Sequence, residues 1–352
     1  MISEEPVDIG KLTNEELREI VFSNLPKLSD RTMIGANIGS DCAWIDLGEQ
    51  ILVSSSDPIT AGGKQSGTLA VHVSCNDISA SGIRPIGILI VLLAPAGTEK
   101  HDIESIVCQA SVAAETLGVD IVGGHTEVTE SVRSFVVTST AFGIIPKSEP
   151  FVPGKARPGD RLLMTKTAAI EGTWIIAMNH SDKLNGLVSD PVIQEARSLI
   201  HKISVVEEGA LLGKFLAPEN ESGAAREENT LIRRKTAVTL MHDATEGGIL
   251  GAAYEMAEYS GIGLHVYPDR IPLHPATLEM CSALKIDPLR LISSGSLLIS
   301  TPYDTYVRNL LISEGIPCEI IGEFTESDFS LIDSSGNISK YDPPSKDHVY
   351  KL

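Results

Sequence analysis

The sequence has no CxxC pair: its five cysteines, at 42, 75, 108, 281 and 318, stand far apart. That spacing excludes a zinc knuckle, and an odd number of scattered thiols fits a reduced, cytoplasmic chain. No apolar run reaches the roughly 20 residues that span a bilayer. The opening "MISEEPVDIGKLTNEELREIVF" is charged, unlike a signal peptide. Positive charge is scarce: 28 Lys and Arg against 47 Asp and Glu give a net charge of -19, which argues against nucleic acid as a partner. A nucleotide is not excluded by that charge, because a divalent cation neutralises phosphates locally. There is no Walker A loop and no nucleophile elbow. What remains is a chain of 352 residues, 42% hydrophobic with 30 glycines, which is the composition of a compact protein of about two domains.

The stretch from Ala36 to Pro85 organises the rest. It carries Asp41 in "GSDCA", Asp57 in "SSSDPIT" and Asp77 in "CNDISASG". Strand-like runs at Cys42 to Asp46 and Ile51 to Ser55 flank a turn at Gly48. A loop with Gly62, Gly63, Lys64 and Gly67 leads into a helix near Thr68 that stops at Gly82 and Pro85. Carboxylates at strand ends beside a glycine-rich loop suit a divalent cation carrying phosphates. Asp57 is expected to end its strand and point from it. Asp77, beside Asn76 among small and apolar residues, is expected to be buried and to need a partner. The plain alternatives are a turn aspartate at 41 and 57 and a solvated lysine at 64.

Downstream, "IGILIVLLAP" reads as a buried strand, and residues 98–117 as a helix ended by Gly118. "VDIV" is a short strand closed by Gly123 and Gly124. Those glycines let backbone amides approach an anion, while His125, Thr126 and Glu127 offer groups to a hydrated magnesium ion. Pro146 to Asp160, with four prolines and two glycines, marks a domain boundary. Beyond it, strands and helices alternate again, so the fold class is α/β or α+β. Residues 217–230 read as a polar surface loop. In "LMHDATEGG", His242 and Asp243 end a strand, and Gly247 and Gly248 open a helix whose amides favour an anion. The cysteines near the acidic motifs are expected to be packing residues, their thiols held protonated by neighbouring carboxylates.

The pieces "GSDCA", "SSSDPIT", "AVHVSCNDISASGIRPIG", "VDIVGGHTEVT", "PGDRLLMTK", "MHDATEGGILGAAYEMAEYSG" and "LISSGSLLIS", in that order, resemble the AIR synthase-like (PurM-like) ATP-binding superfamily, most nearly its hydrogenase-maturation HypE branch. The resemblance covers roughly residues 10–325. It implies a two-domain PurM-like fold: an N-terminal ATP-binding domain at 1–150 that forms a dimeric β-barrel, a C-terminal α/β domain at 155–325, and a polar tail at 326–352. It implies ATP and Mg2+ as cofactors and a homodimer. Asp41, Asp57 and Asp77 match metal and nucleotide-phosphate positions, Asn76 the asparagine before the last of them, and Gly123, Gly124, His125 and Thr126 the "GG(D/E/N)T" loop. Lys64 and Glu127 join this set as nucleotide and metal contacts. Asp243, with His242 beside it, matches the catalytic position of the second domain.

The reaction implied is ATP-dependent activation of a carbonyl or amide oxygen on a small-molecule or protein acceptor. A kinase resembling thiamine-monophosphate kinase and a non-catalytic nucleotide-binding dimer are the alternatives. Three departures stand out. Ser40 replaces a second aspartate, and His125 replaces an acidic or amide residue. The sequence closes on "SKDHVYKL", without the terminal cysteine that HypE modifies.

Overall fold

The computed structural model describes residues 7, 10–60, 62–149, 154–217, 236–341 and 346–352. All but the first residue of the expected 217–230 loop lies outside them. In chain order the main elements are α1 (Asn14–Glu16), β1 (Thr32–Ile34), β2 (Ala43–Asp46), β3 (Gln50–Ile59), α2 (Ser66–Ala80), β4 (Gly87–Pro95), α3 (Lys100–Leu117), β5 (Asp120–Thr129) and β6 (Val136–Pro146). Then come β7 (Arg161–Thr165), α4 (Ile170–Asn179), α5 (Asp190–Ser198), α6 (Val206–Lys214), β8 (Leu240–Asp243), α7 (Gly248–Ser260), β9 (Gly263–Val266) and α8 (Pro275–Leu284). The last are β10 (Leu297–Thr301), α9 (Asp304–Ser313), β11 (Cys318–Thr325), β12 (Phe329–Ile332) and β13 (Ile338–Lys340). The chain packs as two units, one of residues 41–152 with 204–236, the other of residues 1–40, 153–203 and 237–352.

In the 41–152 unit the sheet runs β2-β3-β6-β4-β5, with only the β4–β5 pair parallel. That pair is joined by the crossover helix α3, as parallel neighbours require. Among the described residues the sheet is open at β5, so it is no closed barrel by itself. Period-two alternation along β3 and β6 sends Ile51, Val53, Val137 and Ala141 into the core under α2, on which Leu69, Val73 and Ile78 are buried. Glycine sets how closely the layers meet. A Cβ on Gly67 would lie 2.1 Å from the Ile106 carbonyl oxygen, so this glycine serves the packing of α2 on α3 and is no part of a loop.

Three expectations change here. β3 does not end at Asp57 but continues through Pro58, which pairs with Thr138, to Ile59. Proline is tolerated because β2 pairs only with Ile51 to Ser54, which leaves that side of β3 free of a β2 partner at position 58. "VDIV" is not closed by Gly123 and Gly124: β5 runs through both for ten residues. β4, expected to be buried throughout, hides Ile88, Leu92 and Ala94 on one face and leaves Leu89 41% exposed on the other.

The other unit, of residues 1–40, 153–203 and 237–352, holds a seven-stranded sheet in the order β13-β12-β9-β11-β7-β10-β8. Residues 329–340, expected within a polar tail, supply two of these strands, β12 lying parallel to β9. Its core joins Leu162, Met164 and Leu298 of the sheet to Ile249, Ala253 and Met256 of α7. A second cluster gathers Ile176, Ala177, Ile193, Met280 and Leu291 among α4, α5 and α8. At the start of the chain, Thr13 and Glu16 form the capping box that the sequence predicts.

Candidate functional site

Alternation along β3 places Ser55 and Asp57 on the face that packs against α2, and α2 carries Asp77 on its buried side. The Ser55 hydroxyl donates to Asp77 Oδ2 at 2.6 Å and lies 3.4 Å from Asp57 Oδ2. One hydroxyl carries one proton, so it satisfies Asp77 and leaves Asp57, half-buried, with the longer contact. The structure thus brings Asp57 and Asp77 together through Ser55, a residue the sequence reading passed over. The alternation of "ILVSSSDPI" was the signal that put it beside Asp57. Asp41 sits exposed just before β2. Among the described residues, Asp41, Asp57 and Asp77 do not form a trio with ligand atoms within 4.8 Å of one another. Asn76 is fully buried, and its Oδ1 accepts the Val205 N–H at 2.8 Å, which ties α6 to α2.

Lys64, exposed, is bound to the half-buried Asp102 of α3 at 2.7 Å, and the Asp102 hydrogen bond and charge raise the lysine pKa. Gly123 and Gly124 lie in the ladder opposite Leu89 and Ile90 rather than in a loop. A Cβ on Gly124 would lie 1.7 Å from the Ile90 carbonyl oxygen, which gives the glycine a packing reason. His125 Nε2 lies 3.3 Å from Glu127 Oε2, two residues apart on one exposed face, while Thr126 points the other way. Gly124, His125 and Thr126 also line an open pocket of about 300 Å³ with Ile90, Leu92 and Ile106.

In the other unit, His242 and Asp243 end β8 and are both buried. His242 Nε2 lies 3.1 Å from Glu255 Oε2, and Lys11 stands 3.6 Å from the other oxygen of that carboxylate. Burial pushes the Glu255 carboxyl up, but the His242 hydrogen bond and the Lys11 charge outweigh it and leave the pKa lowered. A proton on His242 would therefore face an ionised acceptor. Glu255, on the helix after "DATEGG", is a second residue that sequence reasoning missed; only its place one helical face along from the motif pointed to it. Cys42 and Cys75 are buried packing residues as expected, and Cys281 and Cys318 are buried as well, but at Cys75, Cys281 and Cys318 the cause that holds the thiol protonated differs. Burial, more than neighbouring acids, pushes each thiol up to about 12, so none is a ready nucleophile.

Two family profiles match the chain: "AIR synthase related protein, N-terminal domain" over residues 39–145 and "AIR synthase related protein, C-terminal domain" over residues 157–334. The chain is 26% identical over 333 residues to a protein of Methanocaldococcus jannaschii named for hydrogenase expression/formation, covering 92% of this chain and 90% of the relative. It is 25% identical over 266 residues to the carbamoyl dehydratase HypE of Bradyrhizobium diazoefficiens, covering 74% and 69%. Among solved structures it resembles hydrogenase maturation protein HypE in complex with ATP, with a TM-score of 0.64, 19% identity and 97% of each chain covered.

Proposed function

Since this chain belongs to the AIR synthase related protein family, we propose that it is an ATP-dependent enzyme that uses magnesium to bind the nucleotide and activates a carbonyl or amide oxygen of an acceptor. The observation that carries the reading is the pair Asp57 and Asp77 sharing the single proton of Ser55. Two carboxylates so placed, one of them 5% exposed, repel each other unless a cation joins them. Their donors are all hard oxygens, and magnesium is commonly held by one or two carboxylates with phosphate oxygens and water completing its shell. The residues therefore fit the metal without requiring Asp41 in the same shell. The HypE relative's name, carbamoyl dehydratase, and the ATP in the HypE structure support the same class of chemistry.

Bound magnesium-ATP would supply a neutralised γ-phosphoryl group as the electrophile. Asp57 and Asp77 would hold the cation's side of that assembly, with Asp41 and Glu127 as outlying carboxylates. Ser55 fixes the rotamer of Asp77. Lys64 reaches a phosphate only by leaving Asp102. His242, hydrogen-bonded to Glu255, would carry a proton, and Asp243 beside it would orient the acceptor. The division of domains near residues 150–155 and a cytoplasmic location are part of the proposal. So is a homodimer. β5 is exposed along nearly its whole length and, among the described residues, has a neighbour on one side only, so it is an edge that a second copy would cover.

The test is calorimetry and thermal unfolding with ATP, with and without magnesium. Magnesium-ATP is expected to raise the melting temperature, and ADP to raise it less. No heat of binding at millimolar nucleotide with magnesium present defeats the reading. If ATP binds, the product separates the remaining alternatives: free phosphate with a dehydrated or cyclised product supports it, and a phosphorylated acceptor points to a kinase.

A further inference from the structure

Residues 346–352 follow a stretch outside the described residues and pack against the start of α7 and the α4–α5–α8 cluster of their own unit. Asp347, 2% exposed, accepts the Gly247 N–H at the start of α7 through Oδ2 at 2.7 Å and the Val349 N–H through Oδ1 at 2.7 Å. The Ile292 N–H is a third donor to it. Val349 and Leu352 pack against the α4–α5–α8 cluster, and the Tyr350 ring lies against Gly10. The same ground holds a second acid. Glu171, in the first turn of α4, is 4% exposed; one of its oxygens faces Ser294, and Oε2 has no hydrogen-bond partner.

We propose that residues 347–352 are a proton-gated strap over the start of α7, closed while the buried carboxyls of Asp347 and Glu171 keep a proton between them and released when both are charged. The groups facing the pair are its reason. From the turn before α7, Glu246 adds a third carboxylate whose charge bears on both acids. The loop at 291–296 offers Ser294 and the Ile292 amide, neither of them charged. On the strap itself, His348 accepts the Asp287 N–H. Burial, then the neighbouring Lys351, lower its pKa, so it is neutral near pH 7; Asp287 and Arg290 act on it in opposite senses. Among the described residues no cation forms an ion pair with Asp347 or Glu171. Three N–H groups and the helix start hold one negative charge at Asp347, but a second one at Glu171 meets only Ser294, which burial outweighs.

Burial pushes Asp347 up to about 6 and Glu171 up to about 7, with the charge of Asp347 adding to the rise at Glu171. Both docked values lie above those of the free groups. The stability that these acids lend the closed strap is therefore full below the free values of 3.8 and 4.5, falls as pH rises, and is lost once pH has passed the docked values of about 6 and 7. Release would bare the Gly247 N–H, four residues beyond Asp243. The inference does not depend on the nucleotide reading, and its test contains no nucleotide.

The test is hydrogen exchange of the amides of residues 348–352 in the full chain at pH ~5.5 and ~8.5, each rate divided by that of the free peptide KDHVYKL at the same pH. Loss of one proton changes an equilibrium by up to tenfold per pH unit. Protection of the strap is expected to fall at least tenfold between the two conditions, with the amides of β10 unchanged. Glu171→Gln should shrink the fall to the smaller part that Asp347 carries alone, below tenfold. Asp347→Asn, a change on the strap outside the sheet, should also shrink it and serves if the first variant does not fold. Equal protection of the wild-type strap at both pH values overturns the proposal, as does a fall that stays as large in either folded variant as in the wild type.

Discussion

Asp57 and Asp77 sit 20 positions apart in sequence and are joined by one hydroxyl, so each can be tested through the other. Asp57→Asn keeps the size and removes the charge. Magnesium-dependent ATP binding should weaken at least tenfold, about 1.4 kcal/mol, while binding in chelator should hold or improve as repulsion with phosphate falls. Calorimetry under both conditions reads this, and equal affinities for the two proteins in both would remove Asp57 from the site. Stability without ligand should hold or rise, because the half-buried charge is gone. Ser55→Ala acts in the opposite direction. It removes a hydrogen bond to a buried carboxylate, which costs about 1.5–3 kcal/mol in urea unfolding. A Ser55→Ala protein as stable as the wild type would mean that Asp77 does not depend on this contact. Both carboxylates were legible as candidates from their motifs. The serine was not, because three consecutive serines in "SSSDP" look alike until the strand assigns alternate ones to the buried face.

Among the elements, β5 shows where reading the sequence met its limit. A glycine pair before His-Thr-Glu reads as a turn with free amides, because glycine most often marks a break. Here the pair is extended, and the reason lies on another strand: at Gly124 a side chain would strike the Ile90 carbonyl oxygen. No local pattern carries a clash with a residue more than thirty positions earlier. Gly124→Ala should therefore destabilise the protein by at least about 2 kcal/mol, since backbone must move. Gly123→Ala, whose Cβ would meet only a Leu89 methyl at 3.4 Å, should cost less, about 1 kcal/mol from its glycine-favouring backbone. Chemical denaturation of the two variants gives the comparison, and equal losses would contradict the packing account. Helices with clear punctuation were easier. The helix expected over 98–117 begins at Lys100 and ends at Leu117, with Gly118 at φ 66° as its left-handed cap, because those signals lie within one turn of the boundary.

For the whole molecule, the α/β class and the paired sheets follow from the alternation of the sequence. The open β5 edge makes association the first quantity to measure. Sedimentation equilibrium at micromolar protein should give twice the 37.6 kDa chain mass. Since each copy carries a net charge of -19, raising the salt should tighten the dimer by screening like charges. A single species of chain mass at all salt concentrations would count against the edge as an interface. The ligand-free protein should also lose stability as pH rises from about 4 to 7, through the ionisation of buried Asp347 and Glu171. In Glu171→Gln that slope should flatten in thermal unfolding across the range; an unchanged slope would mean that Glu171 does not titrate there.

The packing of α6 on α2 bears on the order in which the chain can be made. Val205 hangs from the buried Asn76, and Gly209 and Gly213 leave no room for a Cβ, which would lie 2.1 Å from the Ser79 oxygen and 1.9 Å from the Gly82 oxygen. The backbone of α2 around Asp77 is therefore covered by a helix that leaves the ribosome more than a hundred residues later. During vectorial synthesis the 41–152 unit waits with that surface bare while β7, α4 and α5 emerge, and it closes only when residue 214 is free of the exit tunnel. A nascent chain stalled before α6 would expose a strip of small and apolar side chains beside the carboxylate pair, a natural target for a holdase. Completion of this unit is thus timed by the synthesis of its neighbour.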